Sequence, residues 1–402
     1  MNRWYCVLGG VLMNLSLGAL YGWSLFVPAL EQDLNLSREQ ASNIFSIAVV
    51  VFALCFLIGG RVQDKKGPYI VSLIGSVLFG AGFLLTSRAT DLMGMYLAFG
   101  LVVGMGAGFG YVTPIGVIAK WFPDRRGLVL GISIGAFGAG SAILGPIIPG
   151  LIAGHGWRPV MLGLGIFFFV ATMIAAQLLK NPPPGWSPPG WNPAPGSASS
   201  ATGANFSPKE MLATSQFWRL LVAYALGTSA GLMVISQLLP YAQQTIPGVG
   251  VAIAGTAVTI GAFGNASGRI FSGWLSDSIG RIKTLSLMVL ISAVALPLLG
   301  RIDSLLLLWP ILFIVYYCYG TQLSVYASTT ADFFGAKNVG TNYGLVFLAW
   351  GAAGVLGPKL GGRIYDQLQS YTRAFDIAAV LLVVSFMIIV TLKPPRKDGG
   401  AS

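Results

Sequence analysis

One stretch of the chain combines a lone cation with an apolar helical pattern: Gly261-Ala-Phe-Gly-Asn265-Ala-Ser-Gly-Arg269-Ile-Phe-Ser-Gly-Trp-Leu-Ser-Asp277-Ser-Ile-Gly280-Arg281. At 3.6 residues per turn, Gly261, Gly264, Asn265, Gly268, Arg269 and Ser272 share one face, and Phe263, Ile270 and Trp274 share the opposite one. A guanidinium is always charged, and its planar fork of donors fits a carboxylate bidentately. In hydrocarbon such a charge costs on the order of 3 kcal/mol or more unless water or a partner meets it. Arg269, with Asn265 one turn before it, is therefore the first candidate for anion binding, held in a water-filled cavity near the membrane midplane. The alternative is a side chain that snorkels to the nearest aqueous turn, about 12 Å away.

The surroundings of that stretch make hydrocarbon the relevant solvent. The 402 residues are 55% hydrophobic and only 9% charged, with a mean hydropathy of +0.75, too apolar for a soluble core. Apolar runs of roughly 20 residues, the length of a membrane-crossing helix, centre near residues 17, 50, 78, 105, 140, 168, 230, 262, 290, 316, 351 and 381. No run reads as a cleaved signal. The net charge of +11 follows topology: with both termini cytoplasmic, sixteen Lys and Arg residues lie on the inner side and six on the outer, leaving Arg269 and Lys359 inside spans. That bias favours cytoplasmic termini and argues against nucleic acid as a partner. Cys6, Cys55 and Cys318 are isolated and odd in number, implying neither disulfides nor a metal.

The chain repeats itself. Gly60-Arg-Val-Gln-Asp64-Lys-Lys-Gly67 and Gly273-Trp-Leu-Ser-Asp277-Ser-Ile-Gly280-Arg281 stand 213 residues apart; Phe122 and Phe334, and Gly145-Pro146 and Gly357-Pro358, stand 212 apart. Three anchors at one offset point to a duplicated six-helix unit. Residues 181–205 are rich in Pro, Gly and Ser and suit a tether. The expected organisation is an all-α membrane protein of twelve transmembrane helices in two pseudo-symmetric bundles, residues 1–180 and 206–402, joined by a cytoplasmic linker.

This layout resembles the major facilitator superfamily over almost the whole chain. Lys120-Trp121-Phe122-Pro123-Asp124-Arg125-Arg126-Gly127 and Ser328-Thr329-Thr330-Ala331-Asp332-Phe333-Phe334-Gly335 resemble the oxalate/formate antiporter branch. The Arg269-to-Asp277 spacing and Gly357-Pro358 are similar to the monocarboxylate transporters. The resemblance implies that Arg269 binds a substrate carboxylate and that Tyr21, Tyr111 and Tyr319 match aromatic positions lining the site. Singly, such aromatics are as readily packing groups. Asp64, Asp277, Arg281, Arg125 and Arg126 lie at the cytoplasmic turns, where a carboxylate can cap a helix and pair with arginine across the halves as a conformational latch, or simply be solvated.

Two departures shape the functional expectation. The oxalate branch has a lysine where this chain has Trp350, and the second countercharge a dicarboxylate needs is missing. Animal monocarboxylate carriers have an aspartate one turn before the arginine and a lysine in the first span; here Asn265 occupies the first position, and Tyr21 to Leu30 contains no lysine. Lys359 lies nearer the outer end and is expected to snorkel; His155 falls in an outer loop. The glycines of Gly104-Met-Gly106-Ala-Gly108-Phe-Gly110 lack the preceding strand of a dinucleotide loop and read as close helix packing. The expectation is a monomeric secondary transporter of the bacterial inner membrane that carries small monocarboxylates with the acid's own proton, without cofactor or metal. An organic-anion exchanger and a substrate-sensing receptor are the alternatives, and no nucleophile, base pair or metal cluster in the spans suggests an enzyme.

Overall fold

The computed structural model describes residues 2–183, 186–188, 205–245, 250–302, 304–335 and 337–395. Most of the 181–205 linker, and the side chains at 64, 126, 127, 251 and 252, fall outside that description. Twelve long helical segments follow one another: α1 (Trp4–Leu17, tightening into a 3₁₀ turn over Gly18–Leu25), α2 (Arg38–Lys66), α3 (Pro68–Thr86), α4 (Gly104–Trp121, entered through a π-helical stretch Tyr96–Val103), α5 (Arg126–Ala139 and Leu144–His155), α6 (Trp157–Leu178), α7 (Ser215–Thr245), α8 (Val251–Ile279), α9 (Arg281–Leu299), α10 (Leu305–Phe334), α11 (Val339–Leu368) and α12 (Thr372–Val390).

The sequence explains where these helices begin and stop. A capping box, Ser37 with Gln40, opens α2, satisfying amide groups that have no partner within the helix. Lys65 and Lys66 sit in its last turn, where cations meet the negative end of the helix dipole. Gly67, at φ +86°, then turns the chain, and Pro68 starts α3 at a position where its missing N–H costs nothing. The duplication is visible in the backbone itself: Gly67 and Gly280, and Gly156 and Gln369, are two pairs of positive-φ residues, each pair separated by 213 positions.

Among the described residues, eleven spans are long and apolar enough to cross a membrane. The twelfth, α8, has 29 residues, but Asn265, Arg269, Asp277 and its serines dilute its hydropathy. The span expected around residue 140 is interrupted: α5 breaks over residues 140–143 before Gly145-Pro146, whereas α11 runs unbroken through Pro358.

Two seams join the first six helices to the last six, α2 against α11 and α5 against α8, and the repeat relates one seam to the other. At the second seam the backbones touch: a Cβ on Gly145 would lie 2.5 Å from the Gly255 carbonyl oxygen, and one on Gly255 2.2 Å from that of Gly145. Only glycine permits this approach. At the first seam, at the end remote from the termini, Arg38 is 8% exposed, although the sequence places it in an outer loop. Its guanidinium donates to Glu31 and to the Tyr371 hydroxyl; that hydroxyl donates to Gln237 Oε1 at 3.0 Å, and Gln237 Nε2 donates to Ser42 Oγ. Polar groups from both halves thus close this end.

Candidate anion-binding site

The two faces of α8 part as the helical period predicts. Asn265, Arg269 and Ser272 are buried, and Phe263, Ile270 and Trp274 are exposed toward the surface that lipid would cover. Arg269 neither snorkels nor faces an open vestibule; it is 3% exposed. The expected water-filled cavity is replaced by protein polar groups. Nε donates to Asn265 Oδ1 at 2.9 Å, Nη1 to the Tyr111 hydroxyl at 3.2 Å and to the Ile134 carbonyl at 3.4 Å, and Nη2 to the Tyr21 hydroxyl at 3.5 Å.

A second tier extends this network. The Tyr21 and Tyr319 hydroxyls share a hydrogen bond of 2.8 Å, and Trp350 Nε1 donates to the Tyr319 hydroxyl at 2.7 Å. Tyr21 and Tyr111 come from α1 and α4, Tyr319 and Trp350 from α10 and α11, so residues scattered over five helices, Arg269 included, meet at one point. Among the described residues no carboxylate pairs with Arg269. Its charge is met only by hydroxyl and carbonyl dipoles, which leaves a buried cation suited to an anion. Asn265 Nδ2 is also buried and has no partner.

Aromatic rings wall the remaining sides. The Arg269 guanidinium carbon lies 5.4 Å from the Phe137 ring centre, within cation–π range. Phe52 meets Tyr111, Phe137 and Trp350 at centroid distances of 5.3, 5.8 and 5.0 Å. Phe347 stacks on Trp350 at 5.1 Å and meets Phe56 at 4.8 Å. Phe52 and Phe56 stand 213 residues before Asn265 and Arg269, and Phe137 stands 213 before Trp350. The duplicated positions therefore face the same place, polar in one copy and apolar in the other. The repeat offset was the signal that could have found Phe137; no comparable sequence signal points to Phe347 or the Ile134 carbonyl.

The remaining candidates lie elsewhere. Lys359 is exposed on the flank of α11, away from Arg269. Asp277 bonds to Arg281 at 2.6 Å, and Arg281 also reaches Asp332 at 3.0 Å, all within the last six helices. The pairing across the halves expected of Asp277 is not the one formed, because Arg281, one turn on, and Asp332 at the end of α10 are nearer partners. Arg125 is exposed, while its neighbour Asp124 pairs with Arg3 at 2.8 Å. The side chains of Asp64 and Arg126 lie outside the described residues. His155 is exposed, and the three cysteines are buried and free.

Comparison with known proteins agrees with this architecture. A family model described as Major Facilitator Superfamily matches residues 11–358 and, in a second, overlapping match, 243–402. The oxalate:formate antiporter of Oxalobacter formigenes is 28% identical over 396 residues, covering 98% of this chain and 92% of its own. An uncharacterized MFS-type transporter of Escherichia coli is 28% identical over 355 residues, 88% and 86% of the two chains. Human monocarboxylate transporter 11 is 27% identical over 400 residues, 94% and 80% of the two. These relatives are transporters rather than enzymes. With its twelve helices, its duplicated halves and a family match over most of its length, the chain belongs to the Major Facilitator Superfamily.

Proposed function

We propose that this transporter carries small monocarboxylates of the lactate, pyruvate, acetate and propionate class by alternating access about Arg269. The observation that carries the reading is the division of the site: one buried cation bonded to Tyr21, Tyr111 and Asn265, opposite a wall of Phe52, Phe347 and Trp350. A carboxylate would take over N–H groups of Arg269 that now meet tyrosine oxygens, and a short alkyl group would fill the aromatic side. A second carboxylate would be desolvated against rings with no countercharge, which disfavours a dicarboxylate. The relatives named for oxalate, formate and monocarboxylates support an organic anion as the cargo.

Transport is proton-linked, and the proton is the acid's own: among the described residues no Asp, Glu or His contacts Arg269. The working unit is the monomer, in a bacterial inner membrane with both termini cytoplasmic, and the linker at 181–205 joins halves 1–180 and 206–402. The turn residues Asp277, Arg281 and Arg125, with Asp64 and Arg126, act in closing the cytoplasmic side. Proteoliposomes containing the purified protein test the reading: an inward pH gradient should drive radiolabelled lactate into vesicles that hold no internal anion. Uptake that strictly requires internal anion would instead establish exchange, and absence of any flux would remove the transport assignment.

A further inference from the structure

A cleft of about 340 Å³ opens where α2 meets α11, lined by Asn43, Ser46, Ile47, Val50, Val51, Tyr96, Val355 and Lys359. Packing fixes its orientation. Gly362 lies against Arg38 and Ser42, Gly354 against Val49, and Gly351 against Ala53, so the helices run antiparallel, and Lys359 stands level with the Asn43–Ser46 turn. Asn43, Ser46 and Lys359 therefore occupy the end of the cleft nearer the membrane surface remote from the termini. Val50, Val51 and Val355 occupy the end nearer the midplane.

One polar group in the cleft has no protein partner. Ser46 is 5% exposed, and its hydroxyl makes no hydrogen bond, whereas Ser42, one turn earlier, closes onto the Arg38 carbonyl at 2.7 Å. A buried hydroxyl left open is disfavoured by about 1–3 kcal/mol, and here it lines the same cleft as an exposed ammonium. None of the described residues forms an ion pair with Lys359.

We propose that this cleft binds an anionic phospholipid of the leaflet remote from the termini, its phosphate held by Lys359, Ser46 and Asn43 and an acyl chain laid along Ile47, Val50 and Val355. A small soluble anion would use the cation but leave the apolar half of the cleft unfilled; a zwitterionic lipid would bring its own ammonium against Lys359. Because α2 and α11 belong to different halves, the lipid bridges the seam that closes this end of the carrier. The inference does not depend on which acid the protein transports.

Native mass spectrometry of the full-length protein, released from micelles doped with equal phosphatidylglycerol and phosphatidylcholine, tests it. Wild type should retain one phosphatidylglycerol in preference to phosphatidylcholine, and excess inorganic phosphate should not displace it. Lys359→Gln should lower that retention about fivefold, as expected for one lysine near an anionic headgroup, and Lys359→Arg should preserve it. Asn43→Leu, which keeps the volume and removes a polar group, gives an independent reading should the glutamine variant fold poorly, and it too should lower retention. Equal retention of the two lipids, unchanged retention in both Lys359→Gln and Asn43→Leu, or displacement by phosphate would each overturn the lipid site.

Discussion

The carboxylate of Asp366, in the last turn of α11, accepts hydrogen bonds from the backbone N–H groups of Arg38 and Glu39, at 3.0 and 2.8 Å. A side chain from the second half of the molecule thus caps the first turn of a helix in the other half, 328 residues away in sequence. A cap of this kind is worth about 1 kcal/mol, and the negative charge meets the positive end of the α2 dipole. Replacement by alanine should loosen closure at this end. Hydrogen exchange over residues 38–42 should quicken roughly fivefold in Asp366→Ala; unchanged exchange would show that the cap contributes nothing to closure.

Loss of the guanidinium should be far more severe than loss of the cap. Hydrogen bonds to a charged group contribute about 1.5–3 kcal/mol each, so Arg269→Ala should weaken lactate binding by roughly a hundredfold or more, read by titration calorimetry. Arg269→Lys supplies charge without the planar fork and should recover little. Undiminished affinity in the alanine variant would remove the site.

The aromatic wall should set the length of acid accepted. Phe52 is 1% exposed and Phe347 3%, and truncating either to alanine opens space for additional methylenes, each worth about 0.8 kcal/mol when buried. Competition against labelled lactate should shift in favour of butyrate and pentanoate over acetate, by several-fold per added carbon. An unchanged ranking would place the alkyl group elsewhere.

Asn265→Asp would set a carboxylate where Oδ1 now accepts from Arg269 Nε at 2.9 Å. Ionised, it would compete with the substrate for the same cation; protonated, it would not. Transport by this variant should be depressed at neutral pH and recover as pH falls, giving a steeper pH profile than the wild type without adding activity to an Arg269→Ala background. A profile parallel to the wild type would contradict the proposed contact.

At the end remote from the termini, hydrogen bonds from Trp157 first, and then from Arg158, hold the Asp33 carboxyl below the usual carboxylate range. A depressed folded-state pKa contributes stability above the unfolded value and loses it as pH falls through the folded one. Asp33→Asn should therefore lower the melting temperature slightly at neutral pH and not at all once the wild-type carboxylate is protonated in acid. An equal effect at both pH values would assign the loss to packing.

The sequence was most readable where physics acts locally or repeats. Apolar runs set eleven of the spans, the 213-residue offset reappears in the paired backbone turns at Gly67 and Gly280, and the two faces of α8 follow its period. Helical periodicity gives no warning of the break at 140–143 or of the π-helical entry to α4, since both depend on how neighbouring helices pack. Arg38 looked like a loop residue because its partners Tyr371 and Asp366 are contributed from the far end of the chain. Phe137 was overlooked because a phenylalanine in a span is ordinarily a packing residue, and only its pairing with Trp350 across the repeat marks it.

Arg269 is carried by one half, whereas Tyr21, Tyr111 and the Ile134 carbonyl that it touches are carried by the other. Freight and fastening consequently draw on the same five N–H groups of a single side chain. An acid that seats itself must first unpick stitches running from one body to the other, so a carrier without a passenger stays tacked together and wasteful slippage is held down.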